Sequence, residues 1–447
     1  MDPERAEAHL RLLAEAELRR PAPRPGNTRP ADIGRVARVA QVLTAVGALD
    51  ATVVTRILDD FVLGVGARQD VLASRLGRLL AQAPPLPRPA RSTPVATGRV
   101  VPIGQLIPIR DGEASGEVYL LSYVQRASRG LLTMIARGHG RTGSGAAEIS
   151  LSPFTATDDY GGSYGMGLHG SGPGGPGGWI LRLHPDPPRD LRWLDLTATP
   201  GEPAVRIDVA AAGEPDSEVT VRPAGTSPGE HLLTTIATRL LAAAAAYPRE
   251  VPLRVAQLSL GLAVDGLGDI VEALQACEAV PPLSPVPAQL ATLCAYLNVS
   301  GHGITTPPAD TMPEPWRRVL FHYRGGRRAP GPAGAAVAVA LPELDGISLT
   351  ILGLHDSGDG TVMYLHAAGA AWDDGLGELT SWPVIWLRDS GGWWHATGAG
   401  AGSADQDREI TMEVTVVPPL SRDSEWIEVI AAGVSAEARV TLPVRWG

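Results

Sequence analysis

Lysine is missing altogether: of the 447 residues, the 38 basic ones are all arginine. G+C bias in the coding sequence is the simplest cause, but the absence still removes whole chemistries. There is no Walker-A lysine, no Schiff-base lysine for pyridoxal phosphate, no Ser-Lys dyad and no kinase-type phosphate lysine. Cysteine is nearly absent too. Cys277 and Cys294 both fall in helical patterns, so no disulfide framework is expected and both thiols read as buried and free. Long apolar runs are lacking: the most apolar stretch, Leu240 to Tyr247, is short and Ala-rich, whereas a membrane span needs about 20 apolar residues. Positive charge is in deficit, and a formal net charge of -10 makes nucleic acid an unlikely partner. Asp2, Glu4, Glu7, Glu15 and Glu17 occupy the N-terminal segment in place of a secretory h-region, and the expected compartment is the cytoplasm.

What the chain has in quantity is glycine (52) and proline (40), together short of the roughly 25 to 30% that marks a disordered polymer. Its length suits about three domains on a prior of roughly 150 residues each. It also repeats itself. DYGGSY at 159–164 matches DSGGWW at 389–394, 230 positions on, and GLLTM at 130–134 matches GTVM at 360–363, setting Met134 against Met363 at 229. Pro187 and Pro188 followed by Trp193 match Pro418 and Pro419 followed by Trp426, and VRIDV at 205–209 matches VTLPV at 440–444, 235 on. In the helical parts, VLTAVGAL at 42–49 resembles ALQACEAV at 273–280 at 231.

Period-2 alternation, as in Ile410, Met412, Val414 and Val416, indicates antiparallel strands between Gly, Pro and Asp turns. The expected fold class is therefore multidomain α+β, an internal duplication of a helical unit followed by an antiparallel Ig-like β-sandwich. Its boundaries read as helical unit 1–82, Pro-rich linker 83–97, sandwich 98–224, helical unit 228–300, linker 301–315 and sandwich 316–447. Asp2, Asp32 and Asp50 are placed to cap helices, and Leu72, Leu76, Leu79 and Leu80 suggest a further one.

Several motifs imitate chemistry. Gly165, Gly167 and Gly170 follow the G-x-G-x-x-G order, but a strand beginning at Trp179 follows them rather than the helix that would hold a pyrophosphate. A flexible inter-strand loop is expected instead, as at 396–403. Gly225-Thr-Ser-Pro-Gly229 matches G-x-S-x-G, yet Pro228 has no N–H for an oxyanion hole, so Ser227 reads as a helix cap. No histidine or cysteine spacing suits zinc, and His355 to Gly360 reads as a hairpin turn rather than a calcium loop. Asp158 and Asp159 likewise read as a turn. No metal, cofactor or catalytic residue is expected.

The halves differ in two places. Trp316, Trp372, Trp382, Trp386, Trp393, Trp394, Trp426 and Trp446 all lie in the second β unit or its entry. Alternation puts Trp382, Val384 and Trp386 on one face and sets Trp393 and Trp394 on opposite faces. WRRVLFHYRGGRR at 316–328 adds Arg317, Arg318, Arg324, Arg327 and Arg328 without an acid among them. It reads as a turn and a strand. Exposed Trp and Arg are frequent anchors of protein interfaces, and Trp382, Trp386, Trp393, Trp394 and these five arginines are the candidate partner-binding residues. The style of the chain, the helix RVARVAQVLTAVGALDATVVTRILDDF and the motifs D-x-G-G-x-[YW] and P-P-(x)n-W resemble a group of uncharacterised proteins from high-G+C actinobacteria, with alternating helical and Ig-like units. The resemblance implies no activity. The expected function is a non-enzymatic interaction or scaffold protein that uses its second sandwich. A carbohydrate- or nucleic-acid-binding module is the alternative.

Overall fold

The computed structural model describes residues 1–19, 33–65, 99–111, 114–126, 129–138, 154–171, 178–197, 203–210, 218–246, 266–300, 311–322, 333–356, 360–369, 382–404 and 409–447. Two of the three expected caps, Asp2 and Asp50, act as their chemistry requires, and Asp32 lies outside the described residues. Asp2 accepts the Glu4 and Arg5 N–H groups at 3.1 and 3.2 Å, satisfying donors that the first turn of α1 (Pro3–Arg19) leaves open. Helix α2 (Ile33–Ala45) closes on Gly47, at φ 71°: Gly47 N–H donates to Thr44 O and Ala48 N–H to Leu43 O. Asp50 caps α3 (Ala51–Val65) through the Thr52 N–H at 2.7 Å. The Pro-rich linker and the helix expected around Leu72 to Leu80 lie outside the described residues.

Four more helices follow: α4 (Pro228–Ala246), α5 (Gly266–Ala276), α6 (Val286–Ser300) and α7 (Glu314–His322). Helix α7 replaces the turn and strand expected at 316–322. Its buried residues Trp316, Val319 and Leu320 recur at i, i+3 and i+4, a period that no strand can bury on one face. The close of α5 repeats that of α2 bond for bond, with Glu278 at φ 57° standing where Gly47 stands. Among the described residues, buried side chains of all seven helices join one continuous apolar core, so the two helical stretches form one layer. Arg35 of α2 ties them together, holding Asp269 of α5 through Nε and a second nitrogen, both at 2.5 Å, and Glu17 of α1 at 2.6 Å.

The first sheet has eight strands: β1 (Arg99–Asp111), β2 (Ala114–Arg126), β3 (Arg129–Gly138), β4 (Thr155–Asp158), β5 (Ser163–Ser171), β6 (Gly178–His184), β7 (Trp193–Thr197) and β8 (Val205–Asp208). The second has ten: β9 (Thr220–Pro223), β10 (Ala333–Ala335), β11 (Val339–Ala340), β12 (Ser348–Asp356), β13 (Thr361–Ala368), β14 (Val384–Asp389), β15 (Trp394–Ala404), β16 (Glu409–Val417), β17 (Trp426–Ala432) and β18 (Ala436–Pro443). Every pairing is antiparallel. The first runs β1-β2-β3-β6-β5-β4-β7-β8, the second β10-β12-β13-β16-β15-β14-β17-β18-β9 with β11 paired to β12 off this path, so the same order recurs with β9 added at one edge. Each is one continuous hydrogen-bonded path curled round its own core, whereas an immunoglobulin-type sandwich divides its strands between two sheets. In the second sheet Ala335 bridges Trp446, and Gly334 and Gly447 exchange backbone bonds across the seam.

Hydrogen-bond registers align the halves more evenly than their letters do. The bulge that lifts Leu121 out of the β2–β3 ladder falls opposite Met134 and Thr133, and the bulge that lifts Leu352 out of β12–β13 falls opposite Leu365 and Tyr364. That is an offset of 231 in both strands, so Met363 stands where Leu132 does rather than Met134. Asp158 matches Asp389, also at 231, not Asp159. The offset reaches 233 at Trp193 and Trp426 and 235 at Ile207 and Leu442.

Two further expectations give way. The glycines at 165, 167 and 170 lie in strand β5, and all of 396–403 lies in strand β15, so neither is a loop. In β5 alternation buries Tyr164 and leaves Gly165 bare on the outer face. In β15 Gly398 faces Ala242 of α4, where a Cβ would already be in tight contact at 3.4 Å. Strand β9, assigned to the first sandwich, pairs instead with β18 of the second sheet.

The layers stack through outer faces. Tyr119, Leu121, Val124, Leu131, Ile135 and Ile180 of the first sheet pack on Leu352 and Tyr364 of the second. The second sheet's other outer face carries Val384, Trp386, Ala396, Val417 and Ile430 into the helical core.

Candidate functional site

The tryptophans of the second sheet serve chiefly to dock it on the helices. Trp386, 6% exposed, meets Trp394 edge to face, with ring centroids 6.4 Å apart and planes at 81°. Both belong to the helical core, as does Trp316 of α7. Trp382 departs from the face it was expected to share. Pro383 interrupts the strand pattern, and the Trp382 ring packs on the inner core of the second sheet. Its carbonyl faces the His231 Nε2 of α4 at 3.3 Å. Burial pushes the His231 pKa below the ordinary histidine value.

Trp393 alone of the four tryptophans is classed as exposed, at 38%. It sits in the β14–β15 turn, where Gly392 adopts φ 78° and its N–H donates to Asp389 O at 2.9 Å. The Asp389 carboxylate closes the turn from inside, accepting the Trp393 N–H on Oδ1 at 2.9 Å and the Ser424 hydroxyl on Oδ2 at 3.2 Å. His395 is buried beside it, with Nε2 3.6 Å from Asp389 Oδ2 and Nδ1 2.7 Å from the Pro418 carbonyl. Burial opposes ionisation of Asp389, but His395, the Trp393 N–H and Ser424 together outweigh it and hold its pKa below the ordinary carboxylate value. The β4–β5 turn of the first sheet is built alike: Gly161 has φ 79°, Asp158 Oδ1 accepts the Gly162 N–H at 2.6 Å, and the Tyr164 hydroxyl donates to Asp158 Oδ2. These four residues, Asp158, Tyr164, Asp389 and His395, were not singled out from sequence as a pair of matching sites. The signal was the constant offset, hidden by the match of Asp389 to Asp159.

Two of the five candidate arginines lie among the described residues, both on α7. Arg318 is half exposed and lies 3.5 Å from Glu314, one helical turn back. Arg317 is partly buried beside it on α7. Arg324, Arg327 and Arg328 lie outside the described residues, as does Trp372. Arg388, unremarked in the sequence, sets its guanidinium 5.9 Å from the Trp394 ring centroid and 3.9 Å from the Glu428 carboxylate.

The catalytic imitations resolve into structure. Ser227 and Glu230 form a capping box at the start of α4: Glu230 N–H donates to Ser227 Oγ at 3.2 Å, and Ser227 N–H to Glu230 Oε2 at 2.9 Å. Ser424, Asp389 and His395 put the carboxylate between hydroxyl and imidazole, whereas a nucleophilic triad needs the imidazole in the middle. His355 and Asp356 end β12 ahead of β13, and Asp356 binds Arg422 at 2.6 Å. Among the described residues no group of three or more His, Cys, Asp or Glu is placed to hold a metal ion, and no helix is long and apolar enough to cross a membrane.

Fold and site thus define an α+β protein in which two curled antiparallel sheets stack on one another, the second resting on a helical layer. No known family and no curated protein matches the sequence. A solved structure, the conserved domain protein from Bacillus anthracis, matches over 80% of this chain and 84% of its own at 9% identity, with a TM-score of 0.16 that carries no argument.

Proposed function

We propose that this chain is an internally duplicated, non-enzymatic cytoplasmic interaction protein whose second sheet presents Trp393 to a protein partner. Duplication is supported by the shared strand order, the matching bulges at Leu121 and Leu352, and the matching turns of Asp158 and Asp389. The observation that carries the functional reading is the exposure of Trp393 on a turn pinned from within by a buried carboxylate. A large aromatic held in one conformation loses little freedom on binding and supplies a large contact area. Trp386 and Trp394 support that anchor from below and take no direct part.

The test is affinity purification of the full chain from its own host, wild type beside Trp393→Ala and Arg317→Ala/Arg318→Ala, with and without nuclease. A stoichiometric protein that persists with nuclease and is lost from the folded Trp393→Ala variant is expected. Equal recovery with that variant would remove Trp393 as the anchor, and a partner lost only on nuclease treatment would favour the nucleic-acid alternative.

A further inference from the structure

The Asp158 and Asp389 turns hold the same oxygen by different means. In the first sheet the Tyr164 hydroxyl donates to Asp158 Oδ2. At the matching position of the second, His395 stands with Nε2 3.6 Å from Asp389 Oδ2. Both His395 and Asp389 are 1% exposed. The Pro418 carbonyl, 2.7 Å from Nδ1, can only accept, so Nδ1 carries a proton whatever the charge on the ring. The second proton therefore belongs to Nε2. With it, an imidazolium N–H points at the carboxylate; without it, a lone pair does. A phenol has no such alternative near neutral pH, and burial together with Asp158 holds the Tyr164 pKa well above the ordinary tyrosine value.

We infer that the Asp389–His395 pair is a proton-operated latch on the Trp393 turn, closed when His395 is charged and loosened when it is neutral. Oδ1 of the same carboxylate receives the Trp393 backbone N–H, so a change in the seating of the carboxylate reaches the backbone that carries the exposed indole. Facing His395 are Asp389 from β14, the Pro418 carbonyl after β16 and, across the carboxylate, the neutral Ser424 hydroxyl before β17; the Asp356–Arg422 ion pair lies at the same end of the sheet. The latch rests on the reading of Trp393 as the anchor and makes presentation of that anchor depend on pH.

The experiment is acrylamide quenching of tryptophan fluorescence in the full chain across about pH 5.5 to 8.5, a window around the ordinary histidine value. The Trp393 contribution is taken as the difference between wild type and Trp393→Phe. It is expected to become roughly twofold more quenchable as the pH rises, with a single midpoint. His395→Tyr, which installs the first sheet's own residue, is expected to abolish the transition; if it fails to fold, His395→Gln decides by the same criterion. A flat wild-type profile, or a transition that survives in the folded variant, overturns the latch. Because the readout uses the free chain, a flat profile counts against the latch alone, whereas failure to capture a partner counts against the anchor alone.

Discussion

Asp389 shows how one buried carboxylate shapes a surface. Its ionised form is favoured in the folded chain by His395, the Trp393 N–H and Ser424 despite the cost of burial. A lowered folded pKa contributes stability above the unfolded value, about 3.9, and the contribution is lost as pH falls through the folded value. Asp389→Asn should therefore lower neutral-pH stability by about 1.5 to 3 kcal/mol, as expected for hydrogen bonds to a charged group, and should flatten the fall in stability between roughly pH 5 and 2. Urea melts at a series of pH values check both. An acid slope equal to that of wild type would mean that other carboxylates carry it. In the sequence this residue was visible as a turn former and its burial was not, because it is covered by His395 of the next strand and by Ser424, which reaches it from the connection between β16 and β17.

At the level of elements, strands were legible by alternation and helices by their caps. The failures came where context overrode local composition. Glycines at 165, 167 and 398 looked like loop because glycine weakens isolated strands, yet cross-strand pairing holds Gly165 and Gly167, and Gly398 sits at a break in the β15–β16 register where the bare surface admits Ala242 of α4. The segment at 316–322 looked like strand because it follows a linker and is rich in aromatics, and burial at helical spacing against the helical core decided it. The seam between the sheets depends on a missing side chain. A Cβ on Gly353, at φ 154°, would stand 2.8 Å from the Leu121 Cδ1. Gly353→Ala should cost about 1 to 3 kcal/mol by overpacking, while Gly360→Ala, with nothing within 4 Å, should cost less than about 1 kcal/mol. Thermal melts of the two variants side by side test the seam, and equal melting points would show that Leu121 yields.

Across the whole molecule, the tryptophan imbalance between the halves follows from where each sheet sits. The second sheet's outer face is covered by helices, whereas the matching face of the first carries Thr155, Thr157, Ser163 and Arg206, all exposed. Sequence comparison found the imbalance and could not see the cover, which comes from α4 and α7. Trp386→Ala should therefore destabilise by about 3 to 5 kcal/mol, the usual range for emptying a buried tryptophan site, while Trp393→Ala should stay within about 1 kcal/mol of wild type. Chemical denaturation of both distinguishes a docking tryptophan from a presented one; a similar large loss in both would make Trp393 structural.

The pairing of Thr220 with Arg439 bears on the order in which the protein is made. During synthesis β9 emerges directly after the first sheet, but its partner β18 emerges only after the other described strands of the second sheet. The first half thus waits with one exposed strand already in hand, and Pro223 at its end and Arg222 along it limit wrong pairings in the interval. When β18 arrives, it locks the connector between the sheets into the second one, so completion of the β17–β18 hairpin also fixes the segment that links the two sheets.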